Sequence, residues 1–345
     1  MPKGLQNNAK SMRVLIVKTQ AIGDVLMALH MIESLKKRHP GANITWVCGS
    51  QVVPILSRVD DIDTIVSVDE HVLFKGSFIA RVWEVLLLWK KLLSFVGFDK
   101  VIIGHSDWKY KLIYPFQMRS TVSFGRKQHK RLPLGTRYHG SDYCALSTSE
   151  EFIWRNGISF PKINFDNLDK FKWQDKTVVL FPGGAKNVLS EQSLRRWSVE
   201  YYAELSNLLA NDGYHVILSG SESDLWISSY FSDQVRNLIG QTTIEETIAL
   251  INSAGAVVTH DSGPMHMSLL LSKTKTLSIF GPVLDSSRVP RGLEHSQIVS
   301  NCDRLPECSP CYNGRGFPAC ENNKCMRVCK PKEVKAMVDK VFRAC

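Results

Sequence analysis

A carboxylate, two histidines and a glycine–proline pair stand together where the chain reads Asp261-Ser262-Gly263-Pro264-Met265-His266, directly after the apolar run Ala256-Val257-Val258-Thr259-His260. The apolar run predicts a buried strand, and residues 261–266 predict a turn and the start of a helix. Gly263 lets backbone approach a ligand, Pro264 presets the first helical residue, and a helix N-terminus offers unpaired N–H groups and a positive dipole end. A phosphate or diphosphate fits that description. A plain helix start, with Asp261 or Ser262 as N-cap, fits it as well.

Other reactive groups sit at comparable places. Asp24 follows Gly23 at the start of an apparent helix running to about Lys37, where it is either a cap or a carboxylate that the dipole keeps ionised. Lys186 follows Gly183 and Gly184 in Pro182-Gly183-Gly184-Ala185-Lys186-Asn187, and Arg196 lies in Leu194-Arg195-Arg196-Trp197; both are cations for an anion or simply exposed ones. Trp197 reads as core packing. Glu222 follows Leu218-Ser219-Gly220, where a carboxylate either accepts from ribose hydroxyls or caps a helix. Asp61-Ile62-Asp63 has a D-x-D form but lies in a polar loop and reads as solvated surface.

Seven of the nine cysteines follow residue 300, six of them in the Pro/Gly/Asn-rich stretch 302–329. Cys308 and Cys311, with Cys320 and Cys325, could supply four thiolates to a structural Zn or Fe; disulfides and free buried thiols are the competing readings.

These groups need elements to hold them. Val14 to Val17, Ile44 to Val47, Thr64 to Val68 and Val101 to Ile103 are short β-branched runs separated by helix-length segments. The pattern restarts with Val178 to Phe181, Val216 to Leu218, Ala256 to Thr259 and Leu277 to Phe280, between helical stretches at Val199 to Asn211, Ile244 to Asn252 and Met265 to Leu271. The pattern implies two α/β domains with parallel sheets: residues 1–165, a polar linker at 166–176, and residues 177–330, with a last helix at 331–345 packing back across the linker. Ligands of such sheets gather beyond the carboxyl ends of the strands, which puts the chemistry in the loops named above. Neither G-x-G-x-x-G nor G-x-x-x-x-G-K-[ST] is present, which argues against a dinucleotide dehydrogenase or a P-loop nucleotidase.

The formal charge of +10 implies an anionic partner: a nucleotide, a phosphorylated glycolipid or a membrane surface. Nucleic acid is not expected, because the basic residues are not interleaved with a recognition motif. The densest basic run, Arg126 to Arg131, reads as a solvated loop or as a contact for a phosphorylated acceptor. Val82 to Phe98 is apolar but broken by Glu84, Lys90 and Lys91, too short a run to span a bilayer, though it could touch one. The polar first dozen residues point to a cytoplasmic protein.

Ile22-Gly23-Asp24-Val25-Leu26, Pro182-Gly183-Gly184-Ala185-Lys186-Asn187 with Leu194-Arg195-Arg196-Trp197, Asp261 to His266 and Phe280-Gly281-Pro282 together resemble, in this order, glycosyltransferase family 9, the ADP-heptose:lipopolysaccharide heptosyltransferases. The resemblance implies a GT-B architecture, two Rossmann-like doubly wound domains facing across a cleft, the acceptor bound by the first and the nucleotide sugar by the second. It implies inverting heptosyl transfer from ADP-heptose to a lipopolysaccharide-core or related glycan, at the inner face of the membrane, without a catalytic metal or cofactor. Asp24 is then the general base, Arg196 and Lys186 meet the diphosphate, and Gly183, Gly184, Glu222, Asp261, Ser262, Gly263 and His266 complete the donor site. Ser198 stands where relatives often have proline and Val283 where they commonly have threonine. These departures leave room for another nucleotide sugar, a protein acceptor, or a nonenzymatic module on the same shell. Lys111 to Arg137, where an acceptor should bind, carries no motif of the family.

Overall fold

The computed structural model describes residues 11–95, 97–116, 120–124, 138–148, 160–163, 165, 171, 173, 176–186, 190–299, 304–314 and 316–343. The β-branched runs form two sheets. The first contains β1 (Arg13–Val17), β2 (Asn43–Gly49), β3 (Thr64–Val68), β4 (Lys100–Ile103) and β5 (Thr121–Ser123), in the order β3-β2-β1-β4-β5. The second contains β6 (Thr177–Leu180), β7 (His215–Leu218), β8 (Arg236–Asn237), β9 (Ala256–His260), β10 (Lys275–Ile279) and β11 (Ser296–Val299), in the order β11-β10-β9-β6-β7-β8. Every pairing is parallel. Central strands are covered on both faces, which is why they read as unbroken apolar runs: Val14, Leu15, Ile16 and Val17 are all fully buried, as are Val178, Val179 and Leu180.

The helices are α1 (Ile22–Ala28), α2 (His30–Arg38), α3 (Val53–Leu56), α4 (Glu70–Lys75), α5 (Phe78–Leu93), α6 (His139–Thr148), α7 (Val199–Asn211), α8 (Ile244–Ser253), α9 (Gly263–Leu271), α10 (Lys324–Arg327) and α11 (Pro331–Arg343). The helix expected to run from Asp24 to Lys37 is instead two. At Leu29 the N–H is shared between the carbonyls of Val25 and Leu26, 3.1 and 3.2 Å away, and the tightened turn ends α1 and begins α2. α8 starts where sequence chemistry demands: the Thr243 hydroxyl accepts from the Glu246 N–H while the Glu246 carboxylate accepts from the Thr243 N–H.

Each sheet has one point where the strand order reverses, between β1 and β4 and between β6 and β9, and the crevice beyond those strand ends is where such sheets bind ligands. The two crevices face each other because α1 packs on α9. Arg58, just past α3, pairs with Glu245 of α8 at 3.0 Å and ties the halves together. The last helix, α11, lies along α7, where Lys335 pairs with Asp212 and the Tyr214 hydroxyl donates to Asp339 at 2.9 Å. Most of the expected linker, and the basic run 126–131, lie outside the described residues. No helix among the described residues is long and apolar enough to cross a membrane.

Candidate functional site

The facing strand ends enclose a cleft of about 640 Å³ lined from both halves. The first wall is the segment after β1. Lys18 and Thr19 are buried there, and the chain enters α1 through Ala21 in the left-handed region at φ 62°. A Cβ on Gly23 would land against the His266 imidazole of α9, 3.0 Å from Nε2 and 3.1 Å from Cγ, so only glycine lets α1 come this close.

The residue at the cap position of α1 is Ala21, and Asp24 sits in the first turn. Its carboxylate instead accepts from Lys18 Nζ at 3.1 Å and remains about one-third exposed, at the cleft. Burial opposes its charge, but Lys18, with help from His139 of α6 and from Arg288, holds the carboxyl far below the usual carboxylate range. Asp24 is therefore ionised throughout the physiological range.

The same wall carries an unusual acid. Glu70, the first residue of α4, is packed against Gly49, which has no Cβ to obstruct it, and lines the cleft with one carboxylate oxygen unpartnered. Burial pushes its carboxyl up to about 7. Behind it the His105 ring stacks on Tyr110 at 3.6 Å and accepts from the Thr19 N–H at 3.1 Å, and burial keeps its pKa well below the ordinary value.

The second wall is built from the loops after β6, β7 and β9. Gly184 and Ala185 both have positive φ, and a Cβ on Gly183 would be 2.8 Å from the Asp224 Cβ. Asp224, buried, accepts from the N–H groups of Gly184 and Ser221 at 3.0 and 2.9 Å and so joins the glycine loop to the loop after β7. Lys186 and Glu222 are exposed at the rim of the cleft.

At the start of α9, Asp261 is not a cap. Buried at 2% exposure, it accepts from Arg195 Nη1 at 3.1 Å and lies 3.7 Å from Arg288 Nε and 3.9 Å from His266 Nε2. Burial opposes its charge, yet Arg195 and Arg288 hold its carboxyl below the usual range. His266 is neutral, its pKa lowered by burial to about 4; His260, lowered to about 3, points away and meets the Tyr202 hydroxyl at 3.1 Å. Ser262 occupies the N-cap position of α9 without a side-chain cap bond, its hydroxyl 3.2 Å from that of Thr259. Ser262, Gly263 and Pro264 at the start of α9 line the cleft, and no side-chain cap bond is made at this helix end.

The structure moves two expected roles. Arg196 does not line the cleft: its Nε and Nη2 donate to the Gly184 carbonyl at 2.9 and 2.7 Å, and Nη1 pairs with Glu191 at 2.7 Å. It clamps the glycine loop from behind, and Arg195 is the arginine that faces the cleft. The cysteines do not form a four-thiolate cage. Cys325 is buried in the second core beside Gly281 while Cys308 and Cys320 face solvent, and among the described residues no group of three or more such side chains is arranged to hold a metal ion. Trp197 is core, its indole N–H donating to the Cys329 carbonyl at 3.0 Å. Asp63 accepts from the Ile44 N–H at 2.7 Å at the opposite end of the first sheet, so the D-x-D form is structural. Neither Ser198 nor Val283 lines the cleft.

Lys18, Glu70, Asp224, Arg195 and Arg288 were not expected at the site. The rule that places ligands beyond strand ends was signal enough for Lys18 and Glu70, which follow β1 and β3, and for Arg288, which follows β10. Nothing in the sequence separates Arg195 from Arg196.

A sequence profile for "Glycosyltransferase family 9 (heptosyltransferase)" matches residues 157–313. Lipooligosaccharide heptosyltransferase 2 of Haemophilus ducreyi is 25% identical over 81% of this chain and 86% of its own length. Lipopolysaccharide heptosyltransferase 2 of Salmonella typhimurium is 25% identical over 79% and 83%. In backbone, the chain superposes on an E. coli ADP-heptose lipopolysaccharide heptosyltransferase II with a TM-score of 0.68 at 20% identity, covering 96% of this chain and 99% of that one. A Veillonella parvula family 9 glycosyl transferase gives 0.73 at 16% identity, covering 97% and 98%. The two facing Rossmann-like sheets are those of the GT-B fold.

Proposed function

Since this chain is a heptosyltransferase-like glycosyltransferase of family 9, we propose that it transfers a heptose from ADP-heptose to a hydroxyl of a lipopolysaccharide-core sugar, with inversion and without a catalytic metal. The observation that carries this reading is the pairing of opposite charges across one cleft: an ionised carboxylate, Asp24, on one wall, and Arg195, Arg288 and the α9 N-terminus on the other.

The acceptor belongs to the half formed by residues 1–165 and the donor to residues 177–330. Asp24 accepts the proton of the acceptor hydroxyl as its oxygen attacks the anomeric carbon from the side opposite the diphosphate, which accounts for inversion. A carboxylate this weakly basic takes the proton late, after the bond to ADP has largely broken. Lys18 fixes its orientation and keeps it ionised. The electrons of the breaking bond pass to the ADP diphosphate, whose growing charge is met by the N–H groups at Ser262 and Gly263 and by Lys186, Arg195 and Arg288; fixed donors in a partly dry cleft stabilise that charge without a metal. Gly183 and Gly184 give the phosphates close access to backbone, Glu222 accepts from the ribose hydroxyls, and Asp261, held by two arginines, accepts from heptose hydroxyls beside His266. Arg196 acts on this site by positioning the Gly184 loop. Work at the cytoplasmic face of the inner membrane follows from such an acceptor.

The test is nucleotide release from ADP-heptose, GDP-sugars and UDP-sugars, with and without a core acceptor, repeated in EDTA, with product configuration read by NMR. ADP-heptose turnover that requires acceptor and survives EDTA is expected. Equal turnover of UDP- or GDP-sugars, or loss of turnover in EDTA, would refute the assignment. Asp24→Asn should cost about 10²- to 10⁴-fold in kcat at nearly constant ADP affinity.

A further inference from the structure

Helix α5 buries few of its apolar residues. Leu88 and Leu92 face the core, whereas Phe78 and Ile79 are 81% and 80% exposed and Trp83 is 64% exposed. With Val82, Leu86 and Leu87 they recur in pairs every four residues, forming one outward apolar stripe over three turns. The stripe is extended sideways by the turn Trp108–Ile113 and the residues after it. Trp108, Leu112 and Phe116 are exposed there, and Trp89 joins the two segments by donating to the Leu112 carbonyl at 2.9 Å and meeting the Phe116 ring at 5.3 Å. An exposed apolar surface this continuous is unusual for a protein that meets only water.

Charge narrows what covers it. Lys90 and Lys91 follow the stripe at the C-terminal end of α5, Arg81 lies between its pairs in sequence, and Lys75, Lys109 and Lys111 adjoin the two segments in sequence, all exposed; the acids of this stretch that are not buried are Asp69, Glu84, Asp99 and Asp107, and Asp99 accepts from the Arg13 N–H. Glu84 and Asp69 are spent on each other's neighbourhood, the Glu84 carboxylate accepting from the Asp69 N–H and the Asp69 carboxylate from that of Val72. A second copy of the same face would bring like charges together. A bilayer rich in anionic lipid offers the opposite: headgroups for the lysines and an acyl boundary for the aromatic and aliphatic side chains.

We propose that α5 and the Trp108–Phe116 segment form an interfacial docking surface for an anionic lipid bilayer. Position gives the surface its use. α4, whose Glu70, His71 and Lys75 line the first wall of the cleft, runs into α5 through two residues, so a docked molecule presents that wall next to the membrane. This use, delivery of a lipid-borne acceptor, rests on the transferase reading above; the docking itself does not.

The full chain is floated with vesicles of phosphatidylethanolamine and phosphatidylglycerol, and separately with phosphatidylcholine alone, at about 0.15 M salt. The protein should float with the anionic vesicles and far less with the neutral ones. Ile79→Ser with Trp83→Ser should cut that binding by about tenfold or more, since burial of one large apolar side chain is worth roughly that factor. ADP affinity, melting temperature and transfer to a lipid-free core oligosaccharide should not change. An unbound wild type, a double variant that floats equally well, or a wild-type dimer that the double variant converts to a monomer would each overturn the proposal. Absence of transfer in both proteins would sink the heptosyl reading while leaving the flotation result standing.

Discussion

Replacing Gly23 with alanine should separate the two walls of the cleft with one methyl group. The added Cβ would stand 3.0 Å from His266 Nε2 and 3.1 Å from Cγ, where ordinary contact requires 3.4–4 Å, and closer still to Cδ2. His266 is itself buried and sits beside Asp261 at 3.9 Å, so the ring has little room to turn, and α1 must move away from α9 by about 1 Å. Overpacking of this kind costs about 1–3 kcal/mol, here spent at the contact between the halves and not inside either core. Asp24 is the next residue and moves with α1, and a misplacement of about 1 Å at a reacting group costs on the order of 100-fold. Gly23→Ala should therefore lower kcat by about two orders of magnitude while ADP affinity, which the proposed donor site assigns to the second wall, stays within a few-fold. Steady-state kinetics and calorimetric titration with ADP measure the two quantities on the same preparation. Near wild-type kcat, or a loss of ADP affinity as large as the loss of kcat, would show that the α1–α9 contact does not set the catalytic distance.

Lys18→Met removes the first cation that holds the Asp24 carboxyl down and leaves the burial that raises it, so the carboxyl pKa must rise. The wild-type rate should be flat toward acid, whereas the variant should lose activity as pH falls through the new value, in a pH–rate profile taken from pH 5 to 9. The neighbouring arginines should separate cleanly. Arg195→Ala removes a cation from the cleft and leaves Asp261 half-paired, so ADP should bind about tenfold or more weakly; Arg196→Ala frees the Gly184 carbonyl and should lower the melting temperature, with activity falling through the loop it holds. Glu70 gives a stability test with a definite sign. Its folded pKa, about 7, lies above the ordinary 4.5, so its protonated form is favoured by folding, and stability is lost as pH rises through that window. Glu70→Gln should melt with the wild type near pH 4 and above it at pH 8; equal melting at both would show that the carboxyl is not desolvated.

Sequence reasoning reached the strands and glycines because each answers to a local constraint. A strand buried on both faces must be an apolar run, and the expected bounds of the central strands differ from those observed by one or two residues; the edge strands β8 and β11, half-exposed and short, leave no such run. Gly23 and Gly183 mark places where backbone must approach His266 and Asp224, Gly184 a place of positive φ, and that demand is written in the residue itself. Charges carry no such mark. Arg195 and Arg196 are chemically identical neighbours, and only the 3₁₀ turn at Ser193–Arg195 decides that one guanidinium enters the cleft and the other turns to the Gly184 carbonyl. Arg288 approaches Asp261 only because β10 pairs beside β9 in the reversed strand order, which brings the loops after the two strands to one crevice. Spacing along the chain likewise suggested a cage, but spacing does not set burial: Cys325 is buried beside Gly281 whereas Cys308 and Cys320 are exposed.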